Sequence, residues 1–77
     1  MKLFEIEYKK DGALDSESIN AEFVEMPSRE QAAIVLRNAL FGVFLIPDTP
    51  RDIADKTVWQ LEKAGVHIVG IVEVEET

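Results

Sequence analysis

Along residues 2–9, KLFEIEYK, apolar and polar side chains alternate: Phe4, Ile6 and Tyr8 fall on one side, and Leu3, Glu5, Glu7 and Lys9 on the other. That is the period of a half-buried β-strand. Residues 10–18, KDGALDSES, carry turn chemistry, with Asp11-Gly12 as its clearest signal. A second strand is expected over 19–26, INAEFVEM, where Ile19, Ala21 and Phe23 oppose Asn20, Glu22 and Val24. Antiparallel pairing with its predecessor is the simplest arrangement for neighbours in sequence.

Pro27 stops that strand and Ser28 opens a helix. Ser28 and Gln31 have the spacing of a capping box, in which each residue satisfies a backbone donor of the other. Ala32, Val35, Leu36, Ala39 and Leu40 then recur at three- and four-residue intervals, and Gly42 suits a C-cap. Ile34 and Phe41 fall off this stripe, on the side shared with Glu30 and Arg37. Residues 43–46, VFLI, are strand formers bounded by Gly42 and Pro47. They fit a short buried strand or a continuation of the helix, with the strand favoured.

A second helix is expected from Thr49 as N-cap, with Pro50 in the first helical position and Asp52 in the third, where its charge meets the helix dipole. Ile53, Thr57, Leu61 and Ala64 make its inner stripe, and Gly65 closes it. The last strand, 66–75, reads VHIVGIVEVE. Its first half is apolar on both faces, as expected near the middle of a sheet, and its second half sets Glu73 and Glu75 against Val72 and Val74. The pattern predicts an α+β fold, a two-layer α/β sandwich in one domain spanning residues 1–77. A small, mostly antiparallel sheet of three or four strands would carry two helices on one face, in the order β-β-α-(β)-α-β.

Composition narrows the function. Fifteen acids against eight bases give a net charge of −7, a field that repels phosphate backbones and anionic membranes and favours solubility or a basic partner. No apolar run is long enough to span a bilayer. Glutamates stand where a secretory signal would be apolar, and there is no cysteine. The expected location is therefore cytoplasmic.

Candidate chemistry is sparse. His67 is the lone histidine, with no ligand or nucleophile near it in sequence, and Ser16, Ser18 and Ser28 sit in a turn and at a cap. Asp48, Asp52 and Asp55, like Asp11, Asp15 and Glu17, miss the spacing of a calcium loop. The four glycines form no phosphate-cradling loop. Neither catalysis, nor a metal, nor a cofactor is expected, and direct nucleic-acid binding has no basic patch to support it.

What remains is a surface. With helices over Phe4, Ile6 and Tyr8, the alternation assigns Glu5, Glu7, Glu22, Glu73 and Glu75 to the open face of the sheet, interleaved with Leu3, His67, Val69 and Ile71. Trp59 falls among Asp52, Asp55, Glu62 and Lys63, away from the core stripe. It is either packed under a loop or a binding anchor inside a polar rim. In size, acidity and lack of catalytic residues the chain is similar in type to small phage-encoded inhibitors of host defence or host enzymes, anti-CRISPR proteins among them. The expected function is a non-catalytic acidic protein-binding module, an inhibitor occupying the basic, nucleic-acid-binding surface of a partner protein. Its candidate contact residues are Glu5, Glu7, Glu22, Glu73 and Glu75, with Trp59 as a separate anchor. The alternative is a structural or accessory subunit that self-associates, as a homodimer for instance, through Val69 and Ile71 or through Ile34, Phe41 and Trp59.

Overall fold

The strands and helices follow one another as β1 (Lys2–Lys10), β2 (Glu17–Phe23), α1 (Arg29–Phe41), α2 (Lys56–Lys63) and β3 (Val66–Glu73) in a computed structural model that describes residues 1–42 and 52–75. The sheet order is β2-β1-β3, with both pairings antiparallel. This is the expected α+β arrangement. Residues 43–46, and Thr49 and Pro50 with them, lie outside the described residues.

β1 is the middle strand, and the reason is in its alternation. Phe4, Ile6 and Tyr8 are buried on the helix side, where Ile6 and Tyr8 form one cluster with Ala32, Ala33 and Leu36 of α1, Leu61 of α2, and Val66 and Ile68 of β3. Each such side chain removed from water contributes about 1.5–3 kcal/mol. Phe4 also meets Phe23 of β2 edge-on, with ring centroids 6.0 Å apart. β3, read from its apolar character as a mid-sheet strand, instead flanks β1. One of its faces is covered by the helices, while His67 and Val69 on the other are exposed.

α1 begins as its sequence dictates. The Ser28 backbone N–H donates to Gln31 Oε1 at 2.8 Å, and the Gln31 N–H donates to Ser28 Oγ at 3.1 Å. Its buried face is Ala32, Ala33 and Leu36, with Val35, Leu40 and Phe41 packed around it and Ala39 exposed. The flank carrying Glu30, Arg37 and Phe41 meets α2 and Phe41 packs against the core, whereas Ile34 on the same flank stays 39% exposed. The loop between β1 and β2 does not fold over it, since Leu14 is 94% exposed.

α2 starts later than its sequence suggests. Residues 52–55 form a turn and bends, so Asp52 is not in the helix. Asp55 occupies the N-cap position without a side-chain cap bond. The cap comes from across the helix pair: Glu30 Oε1 accepts from the backbone N–H of Thr57 at 2.8 Å and of Val58 at 3.3 Å. One carboxylate thus sits in the first turn of α1 and at the positive end of α2. A turn further on, Arg37 Nη1 donates to Oε1 of the buried Gln60 at 3.3 Å.

The far end of α2 is tied to the first turn of the sheet. Gly65 has φ +84°, and a Cβ built there would lie 3.2 Å from Asp11 Oδ2. Its carbonyl accepts the Asp11 N–H at 2.8 Å, and Asp11 Oδ1 lies 2.8 Å from His67 Nε2. The Asp11-Gly12 turn is therefore anchored to the α2–β3 connection.

Two stability outcomes follow. Glu30→Ala leaves the α2 donors without their charged acceptor and should cost about 1.5–3 kcal/mol in urea denaturation, with Glu30→Gln costing about half as much. Gly65→Ala forces an L-residue into left-handed backbone against Asp11 and should cost roughly 1–3 kcal/mol in the same assay.

Candidate protein-docking face

The face of the sheet away from the helices is built by register. On β1, Glu5 lies between Asn20 of β2 and Val72 of β3, and Glu7 between Ser18 and Gly70. Leu3 lies beside Glu22, and Lys9 beside His67. No carboxylate of β1 has another directly opposite it. The like-charge cost expected of acids on neighbouring strands is therefore largely avoided.

β3 departs from the expected pattern at one residue. Glu7 pairs with Gly70 and Tyr8 with Ile68, so Val69 has no partner on β1. This is a β-bulge, and it reverses the phase of everything after it. Ile71 pairs with Ile6 and Glu73 with Phe4, which places both on the helix side, while Val72 takes the open side. The assignment of Glu73 and Ile71 to the open face is thus corrected. Glu73 is drawn to Lys2, with Nζ and Oε1 4.0 Å apart. Glu75, exposed, lies past the end of β3. Gly70 was the available signal, because an isolated glycine inside a strand often marks a bulge.

The open face consequently unites three of the candidate acids, Glu5, Glu7 and Glu22, with a different set of apolar groups. Val69 is 53% exposed and Val72 60%, with Leu3 half-buried near the Val72 end. Four other acids are engaged: Glu17 lies 3.5 Å from Lys10, Glu73 faces Lys2, Asp11 holds His67, and Glu30 caps α2. Among the described residues Glu5, Glu7 and Glu22 have no ion-pair or side-chain hydrogen-bond partner.

Trp59 stands apart from these acids, on the helix layer. It is half-buried, and Lys63 Nζ lies 5.6 Å from its ring centroid, so the chain supplies its own cation to the indole face. Lys63 is one turn further along α2, a spacing that makes the contact local.

His67 has a partner that sequence proximity could not show, since Asp11 is 56 residues away. Among the described residues no serine or threonine hydrogen-bonds that histidine. Among the described residues no group of three or more His, Asp or Glu side chains gathers as a metal site, and no helix is long and apolar enough to cross a membrane. No protein-family model, curated protein or solved structure matches this chain.

The covered indole face has a measurable counterpart. Lys63→Ala should increase acrylamide quenching of Trp59 fluorescence while lowering stability by no more than about 1 kcal/mol. An unchanged quenching constant would show that Lys63 does not shield the ring.

Proposed function

We propose that this chain is a non-catalytic binding module that docks a basic protein surface on the open face of its sheet. The observation that carries the reading is the set Glu5, Glu7 and Glu22: unpaired among the described residues, and beside exposed Val69 and Val72. Carboxylates free of internal partners retain their attraction for an incoming Arg or Lys, and the valines supply area that leaves water on contact. A net charge of −7 steers a basic partner toward the molecule and opposes association of two copies.

The bulge changes the character of the proposal. With Glu73 and Glu75 off the open face, the acids no longer run along both outer strands, and the face combines charge with apolar contact. An inhibitor that occupies a nucleic-acid-binding surface remains the specific form of the reading, because such surfaces are basic and carry Arg and Lys in the spacing that acids can meet. Small phage-encoded inhibitors are proteins of this type.

The test is capture from a lysate with the wild-type chain and with Glu5→Lys/Glu7→Lys, at low and at high salt, with the melting temperature of both chains measured. A basic partner retained by the wild type at low salt, and lost both at high salt and on charge reversal at unchanged melting temperature, is the expected result. The same partner held equally by both chains would overturn the proposal, as would a salt-resistant homodimer of the purified protein.

A further inference from the structure

The two outer strands of the sheet are finished differently. β3 carries its bulge at Val69, a device that bends a strand and spoils it as a template for further pairing. β2 has no such device. Its residues, ESINAEF, include neither proline nor lysine, and its register against β1 is unbroken. Among the described residues β1 is its sole strand neighbour, so alternate N–H and C=O groups along its outer side have no ladder partner there.

The helix layer is centred away from β2, packing over β1 and β3. As a result Ile19, Ala21 and Phe23 are only half-buried, whereas Phe4 and Ile6 beside them are fully buried. At the Phe23 end this shelf opens into a cavity of about 300 Å³ lined by Phe23, Val24, Met26 and Gln31. Val24 is 74% and Met26 56% exposed, which leaves soft apolar surface at the mouth. Glu22 and Glu25 line the same cavity, and among the described residues neither is ion-paired.

We propose that the outer edge of β2 accepts an extended segment of a partner protein as an added strand, one whose residues alternate apolar and basic. Backbone pairing supplies the affinity, and the alternation supplies the specificity. Side chains of the segment on the helix side rest against the shelf of Ile19, Ala21 and Phe23 and reach the cavity at Met26. Those on the other side stand beside Ser18, Asn20 and Glu22. Charge selects the occupant: a second copy would bring another −7, while a basic segment meets Glu22 and Glu25. The inference shares only Glu22 with the open-face reading and survives or fails apart from it.

The experiment is an NMR titration of the intact chain with the synthetic peptide RVRVRVR, up to millimolar concentration. Two further peptides are N-methylated at alternate residues, one in each frame. The expected result is chemical-shift change and slowed hydrogen exchange at β2 amides, with one N-methylated frame binding and the other not. Glu22→Lys/Glu25→Lys should weaken the unmodified peptide roughly tenfold, about threefold for each rim charge. Both charges are exposed, so that variant should keep its fold. Glu5→Lys/Glu7→Lys should alter this binding little, which separates failure here from failure of the open-face reading. Three outcomes would overturn the proposal: no change at β2 amides, equal binding of both N-methylated frames, or β2 amides already protected by self-association without peptide.

Discussion

Phe4, Ile6 and Tyr8 form the line on which the rest of the molecule stands. They are buried from one end of β1 to the other; Ile6 and Tyr8 join the cluster shared with both helices and β3, and Phe4 packs on Phe23 of β2. A chain of 77 residues has little interior to distribute. Placing the most apolar alternation on the middle strand lets the same side chains serve every neighbour. It also decides where function can reside. Once the helix side of the sheet is spent on the core, the opposite side is free to carry charge without disturbing packing.

Much of this was readable because it is local. The Ser28–Gln31 box, the strand period of β1 and the glycine after α2 depend on residues within a few positions of one another, and the structure has each of them. What escaped depends on distance. The cap of α2 comes from Glu30, 27 residues before the amide that it accepts, so nothing around Asp55 announces it. The same flank explains Phe41, which falls off the sheet-facing stripe because it lies on the side of α1 that meets a second helix. The Asp11–His67 pair was hidden in the same way. At β3 the difficulty was of another kind, since an apolar run such as VHIVGIV admits either phase and its alternation cannot say where a residue is skipped.

The charges sort by task once these contacts are known. Glu30 serves a helix end, Asp11 a turn, and Glu17 and Glu73 meet the lysines at opposite ends of β1. Of the acids left over, Glu5, Glu7 and Glu22 share the uncovered face of the sheet with Val69 and Val72. A uniformly acidic face would repel itself and every acidic neighbour. Here Asn20, Ser18 and Gly70, rather than acids, stand directly opposite Glu5 and Glu7, which lowers the cross-strand like-charge cost.

The bulge at Val69 also makes the length of β3 a matter of parity. A strand with a two-residue period has two possible phases, and one unpaired residue is the smallest edit that exchanges them. Everything upstream of Val69 keeps its place under α2, while everything downstream swaps layers. Insertions and deletions in this strand therefore sort into odd and even classes. Even ones near the bulge preserve which side faces outward, and odd ones turn the C-terminal half over. The outward chemistry of the protein is in this sense written by a count as much as by a composition.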